Sequence, residues 1–285
     1  EEARATARLR RGVDRGATWI LPSRAPLVAT ADADRSARTP EPDRTAAQRG
    51  FQVPLLTGVL TRQALTPEER KHEPPGLGNN YLFNSAMLLD GSGQVLGRAD
   101  KVELMPFSEN FEIGRWVYYA TGIDLFNLVV GLGDFSSGTA GQVLNLPRAA
   151  GDARIGVMIC YEDILPSFAR KLHEQAPNIL VNLSNDAWFG QTSEPWLHLQ
   201  LATFRAVEQR VALVRSTNTG VSGYVDPGGR LVNHTRTTEP ETLLFEAPLI
   251  PATDTLYTML GDWPANLGLL ALVGGWVRRR RVSAG

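Results

Sequence analysis

A thiol is the most reactive side chain in this sequence, and there is only one. Cys160 directly follows the apolar run Ile155-Gly156-Val157-Met158-Ile159 and is followed by Tyr161, Glu162 and Asp163. The run is short, β-branched and bounded by turn formers, which predicts a strand buried on both faces. Pro166 stands where a following helix can take its first turn. A strand-to-helix elbow presents its side chain to a cleft, so Cys160 is a candidate nucleophile. The same local sequence fits a small buried hydrophobe equally well.

The rest of the composition narrows the chemistry. The chain has 285 residues, 43% hydrophobic and 21% charged, enough for a sizeable core in one large domain or two. A formal net charge of −1 without a basic stripe gives no reason to expect a nucleic-acid partner. A single cysteine excludes an intramolecular disulfide. Four scattered histidines (His72, His173, His198, His234), with neither Cys-x-x-Cys nor His-Glu-x-x-His, predict no metal site.

The elements that must carry Cys160 can be read from apolar periodicity. Strands are expected at Thr18–Leu21, Pro54–Leu60, Ser85–Leu89, Ile155–Ile159, Ile179–Asn182, Ala212–Ser216 and Gly223–Val225. Helices are expected at Ala3–Arg15, Arg44–Gly50, Ser167–Glu174 and Pro195–Arg210, with long loops at Val28–Pro42 and Arg62–Asn80. Several strands end in polar residues: Cys160, Asn185-Asp186 and Thr217-Asn218-Thr219. Polar strand ends gathered on one side of a sheet make a catalytic mouth.

The two ends read differently. Glu1 to Arg15 are charged throughout, which predicts an exposed helix rather than a signal peptide, with further sequence expected upstream. Trp263 to Val277 form 15 residues without a charge, closed by Arg278 to Arg281. This segment is expected to be a membrane or interfacial helix, extended by Leu256–Leu260 if Asp262 sits at the interface, with the arginines on the cytoplasmic side. A tail helix docked on the globular domain is the alternative.

Three ordered motifs carry a family resemblance: Asp100-Lys101-Val102-Glu103-Leu104-Met105-Pro106-Phe107-Ser108-Glu109, Ile159-Cys160-Tyr161-Glu162-Asp163, and Asn182-Leu183-Ser184-Asn185-Asp186-Ala187-Trp188-Phe189-Gly190. Together they resemble the nitrilase (carbon-nitrogen hydrolase) superfamily, over about Ala3 to Arg281. The segment from Arg205 to Arg230 and the ending Thr255 to Trp263 resemble its apolipoprotein N-acyltransferase branch more than the soluble amidases.

The resemblance implies an α/β, nitrilase-type four-layer α-β-β-α sandwich at 1–250, lacking the family's first strand and its preceding membrane helices. A C-terminal membrane or interfacial helix with a basic tail would occupy 251–285. It implies Cys160 as nucleophile and Lys101 as the cation that steadies its thiolate and the oxyanion. Glu109 would orient the lysine and assist proton transfer. Tyr161 and Glu162 would shape the loop, Glu162 as a catalytic group or as a helix cap. Trp188 and Phe189, with Phe107, Phe111, Trp116, Tyr118 and Tyr119, would form an acyl-chain groove or bilayer-dipping loops, or else pack in the core. No cofactor is implied. The partners would be a phospholipid acyl donor, a diacylglyceryl lipoprotein acceptor and the membrane. The location would be the bacterial inner membrane, with the catalytic domain on the periplasmic or outer side.

One position departs from the pattern. The family's general-base glutamate follows a Trp-Pro or similar pair after an early strand, and here Thr18-Trp19-Ile20-Leu21-Pro22 leads into Ser23. A serine accepts no proton near pH 7 without a base of its own. Arg24 beside it could bind a phospholipid phosphate bidentately or simply sit exposed, and both residues are kept as substrate-binding candidates. Either Glu109 or Glu162 acts as base in an altered acyltransferase, or the chain is an impaired lipid- or lipoprotein-binding homologue. An amidase acting on small C–N bonds is the remaining alternative.

Overall fold

The computed structural model describes residues 17–22, 53–73, 79–106, 108–110, 112–123, 125, 135–236 and 241–282. Its strands are β1 (Ala17–Pro22), β2 (Leu55–Ala64), β3 (Asn80–Leu89), β4 (Val95–Asp100), β5 (Val143–Leu146), β6 (Ala153–Ile159), β7 (Ile179–Ser184), β8 (Leu213–Thr217), β9 (Gly223–Val225), β10 (Leu231–His234) and β11 (Thr242–Ala247). Its helices are α1 (Pro67–His72), α2 (Glu112–Thr121), α3 (Pro166–His173), α4 (Glu194–Gln209), α5 (Leu256–Leu260) and α6 (Trp263–Val282). The fold is α/β.

Strands β2, β3 and β4 form an antiparallel meander. A second sheet runs in the order β10-β9-β8-β7-β6-β5, with β6, β7 and β8 parallel at its centre. Strand β1 pairs antiparallel with β11, Ala17 opposite Ala247 and Pro22 opposite Thr242. Parallel neighbours need crossovers, and here the crossovers contain α3, between β6 and β7, and α4, between β7 and β8.

Side-chain alternation along the central strands splits the core in two. Ile155, Val157, Ile159, Ile179, Val181 and Val214 face the meander, meeting Ala86, Leu88 and Ala99. Met158, Leu180 and Leu213 point the other way, onto Phe168, Ala169 and Leu172 of α3 and Leu199, Ala202 and Ala206 of α4. Gly156 lies on this helix-facing side, where a Cβ would come within 2.9 Å of Leu180 and 3.1 Å of Leu172. Each such buried aliphatic contributes about 1.5–3 kcal/mol.

The seven expected strands are present, Gly223–Val225 with the expected bounds and the other six with shifted ends. The expected loop from Arg62 to Asn80 is corrected: β2 continues to Ala64, β3 starts at Asn80, and α1 lies between. The physical reason is a capping box. Thr66 Oγ1 accepts from Glu69 N at 3.3 Å and Glu69 Oε2 accepts from Thr66 N at 2.7 Å, with Pro67 at the first helical position. Strands β4, β5, β10 and β11 and helix α2 went unread in the sequence. The expected helices at Ala3–Arg15 and Arg44–Gly50 and the loop at Val28–Pro42 lie outside the described residues.

At the C-terminus the apolar segment is helical and exposed, with Leu267, Leu269, Leu270 and Leu272 all facing solvent. Among the described residues no helix is long and apolar enough to cross a membrane. Fifteen charge-free residues rise only about 22 Å against the roughly 30 Å of a bilayer core. The expected extension through Leu256–Leu260 fails because Gly261, at φ +57°, ends α5 before α6 begins.

Candidate active site

Strand β6 ends at Ile159, and Cys160 turns out of it with φ +55°, in the left-handed region that a non-glycine residue seldom enters. Such a conformation costs on the order of 1–3 kcal/mol and persists only where the surroundings fix it. The fixing groups are identifiable. Asn182 Nδ2 donates to Cys160 O at 2.8 Å, and residues 160–164 close into a 3₁₀ turn.

The carboxylate of Glu162, 1% exposed, ties that turn to the segment after β4. Its Oε2 accepts from Ile159 N at 2.7 Å, and its Oε1 accepts from Val102 N at 2.7 Å and Glu103 N at 3.0 Å. Burial pushes Glu162 up to about 7, against the pull of these three N–H groups and of Lys101. With both oxygens held by main-chain donors, Glu162 is arranged to hold the loop.

Lys101 immediately follows β4 and is fully buried. Its Nζ donates to Glu109 Oε2 at 2.5 Å and lies 5.0 Å from the centroid of the Tyr161 ring. Glu109 Oε2 also accepts from Met105 N at 3.0 Å, and Tyr161 Oη donates to Leu104 O at 2.9 Å. Burial and the carboxylates of Glu103, Glu109 and Glu162 push Tyr161 up to about 12, so its ring stays neutral under the ammonium. Burial also pushes the Cys160 thiol up, while the Lys101 charge pulls it down. The geometry can therefore stabilise a thiolate, or an oxyanion formed beside it, with one desolvated cation.

A sequence model of the carbon-nitrogen hydrolase family matches residues 46–249. The chain belongs to the carbon-nitrogen hydrolase family. Its α/β fold is of that family's nitrilase type, and the match spans Lys101, Glu109 and Cys160 but begins beyond Ser23 and Arg24. Among curated relatives, the apolipoprotein N-acyltransferase of Geobacter metallireducens is 35% identical over 213 residues, 74% of this chain and 39% of its own. That of Rhizobium rhizogenes is 43% identical over 190 residues, 67% of this chain and 33% of its own. The chain thus spans between a third and two fifths of the length of these relatives. Among solved structures, an amidase from Nesterenkonia sp. is 18% identical with a TM-score of 0.47, covering 72% of this chain and 64% of that one.

Of the residues singled out in the sequence, the carbon-nitrogen hydrolase fold brings Cys160, Tyr161, Glu162, Lys101 and Glu109 together. Trp188 stands apart, 85% exposed on a short 3₁₀ turn after β7, with Phe189 half-buried beside it. Trp116 and Tyr119 on α2 are exposed as well, at 72% and 57%, so core packing does not account for these aromatics. Ser23, Arg24, Phe107 and Phe111 lie outside the described residues.

The sequence reading missed a charged cluster directly under the elbow. Arg215, fully buried, donates through Nη1 to Asp163 Oδ2 at 2.6 Å and Asn182 Oδ1 at 2.9 Å, and through Nη2 to Asp186 Oδ2 at 2.9 Å. His198 Nε2 lies 2.7 Å from Asp163 Oδ1. Burial would lower Arg215, but Asp163 and Asp186 overcome it and hold the guanidinium above its ordinary value. One signal was available: an arginine inside the apolar run Val211 to Val214-Arg215 demands a buried partner.

Proposed function

We propose that this chain is the catalytic part of an N-acyltransferase of the apolipoprotein type. The observation that carries the reading is the buried Lys101–Glu109 pair beside the Cys160 elbow, in a chain whose relatives bear that name. Cys160 thiolate attacks the ester carbonyl of a phospholipid, and the tetrahedral oxyanion develops beside Lys101 Nζ. Collapse expels a lysophospholipid and leaves a thioester on Cys160. The α-amine of a diacylglyceryl-cysteine then attacks the thioester, giving the amide and restoring the thiol.

The proton from Cys160 passes to Glu109 in this scheme and from there to the departing lysophospholipid oxygen. In the second half Glu109 takes the proton released by the attacking amine and returns it to the Cys160 thiolate. Glu162 has both oxygens occupied by main-chain N–H groups, whereas Glu109 Oε1 carries no hydrogen bond among the described residues. Ser23 in the place of the family base makes the enzyme slow. Loss of a general base costs on the order of 10²- to 10⁴-fold.

The domain at 1–250 is a four-layer sandwich in this reading, and 251–285 is an interfacial helix rather than a span. The exposed leucines of α6 suit the headgroup boundary and Arg278 to Arg281 suit anionic lipid. Trp188, Phe189 and the α2 aromatics suit contact with acyl chains. An interfacial helix does not itself choose a side of the membrane; the periplasmic or outer face of the bacterial inner membrane is taken from the resemblance to the apolipoprotein N-acyltransferases.

The test offers the protein, in mixed micelles, a phospholipid with a synthetic diacylglyceryl-cysteine peptide, and separately a series of small amides. N-acylation of the peptide without amide hydrolysis supports the reading. Hydrolysis of the small amides at equal or greater rate replaces it with an amidase.

A further inference from the structure

A cleft of about 470 Å³, within the range of small-ligand sites, opens at the C-terminal end of α3. Helix α3 starts beside the Cys160 turn and rises about 12 Å away from it, so the cleft has no part in the scheme above. Its walls carry charges of both signs. Arg170 and His173 come from α3, Glu174 from just beyond it and Asp254 from ahead of α5, with Thr258 and Met259 of α5 beside them.

The basic side of the cleft is unsatisfied. Arg170 makes no hydrogen bond or ion pair among the described residues. Its guanidinium lies against Gly261, where a Cβ would come within 2.7 Å of Nη1, so the bend between α5 and α6 rests on this cation. His173 has a side chain only 10% exposed, with Nε2 3.3 Å from Asp254 Oδ1. Its Nδ1 is buried without a hydrogen-bond partner, which a bound polar group would supply.

We propose that the cleft binds a phosphate ester that also carries an ammonium group. Arg170 takes the phosphate, for which a guanidinium has two parallel donors, and Glu174 and Asp254 take the ammonium. A bare phosphate would meet Arg170 but lie beside two carboxylates, and a bare amine would lie beside the guanidinium. A zwitterion satisfies both walls. Such groups occur in soluble phosphodiesters and in the headgroups of zwitterionic phospholipids. The exposed apolar helix α6 begins at Trp263, two residues beyond Gly261, which puts the cleft beside the segment assigned to the lipid boundary. The binding chemistry is independent of acyl transfer at Cys160, whereas a lipid source rests on that placement of α6.

Calorimetric titration of the full chain, in a sugar-based detergent that carries no phosphate, compares glycerophosphoethanolamine with inorganic phosphate and with ethanolamine. The diester should bind at least about tenfold more tightly than either half. Arg170→Met should weaken it at least about tenfold, and Glu174→Gln should weaken the diester while leaving inorganic phosphate no weaker. Both variants should keep the wild-type rate of Cys160 labelling by iodoacetamide, which shows the fold intact. No binding of the diester, equal binding of inorganic phosphate, or a diester affinity that survives Arg170→Met overturns the proposal. Flotation with vesicles of phosphatidylcholine and phosphatidylethanolamine, against vesicles of a galactolipid, assigns the source. Capture by the phosphate-bearing vesicles that falls in Arg170→Met makes the ligand a headgroup, and equal capture by both makes it a soluble ester. Neither measurement reads acyl transfer, so a failure here leaves the acyltransferase reading standing.

Discussion

Replacing Glu162 by glutamine tests whether a buried carboxyl group ties the elbow together. The carboxylate receives three main-chain N–H groups within 3.0 Å, yet burial still pushes it from 4.5 up to about 7. Its folded value lies above its unfolded one, so its contribution to stability is complete below about pH 4.5 and is lost as pH rises through about 7. The displacement corresponds to about 3 kcal/mol. Glutamine carries no charge at any pH. It keeps an oxygen for Val102 and Glu103 but turns an NH₂ toward the Ile159 N–H, a mismatch of about 1–3 kcal/mol at every pH. The wild type should therefore exceed Glu162→Gln most at and below about pH 4.5, and the gap should shrink by about 2–3 kcal/mol between pH 5 and pH 8. Urea unfolding of both proteins across that window measures it, because every other titration is common to the pair. Parallel stability curves would refute the reasoning.

Three further outcomes follow from the same contacts. Lys101→Met leaves Glu109 without its cation and Cys160 without its nearest positive charge, so alkylation of Cys160 at pH 7.5 should fall at least about tenfold; an unchanged rate means that Lys101 does not govern the thiol. Arg215→Met strands two buried carboxylates and should cost about 3–5 kcal/mol in urea unfolding, with part recovered in the triple variant that adds Asp163→Asn and Asp186→Asn; a loss below about 1 kcal/mol contradicts the buried network. Ser23→Glu should raise the rate of acyl transfer, toward the 10²- to 10⁴-fold that a general base supplies, and an unchanged rate with the fold intact shows that the glutamate register lies elsewhere.

What could be read in the sequence follows from how local its cause is. Ile155–Ile159 and Ile179–Asn182 announce themselves as strands because both faces are buried and nearly every residue is apolar. Strands β4 and β10 lie at sheet edges and are only partly buried, so their residues alternate weakly and went unread. Helix α1 was hidden by its charge, although Thr66-Pro67-Glu68-Glu69 states its cap. The site divides in the same way. Cys160, Lys101 and Glu109 were found through motifs that follow one another along the chain. Arg215 and its partners were not, because Asp163, Asn182, Asp186 and His198 are recruited from a turn, a strand, a loop and a helix that only the parallel register brings together, with Asn182 opposite Arg215. Glu162 was left between catalysis and structure, and its three N–H partners, two of them some 60 residues away, are long-range contacts that no local pattern encodes.

The acyl-enzyme itself is the most direct test of the whole account. Protein incubated with phospholipid in mixed micelles, quenched in acid and weighed intact should carry a single fatty-acyl mass. That mass should be absent from Cys160→Ala, much reduced in Lys101→Met, and released by an added diacylglyceryl-cysteine peptide. An unmodified wild-type mass, in a preparation whose Cys160 is fully alkylated by iodoacetamide, would contradict acyl transfer through this cysteine.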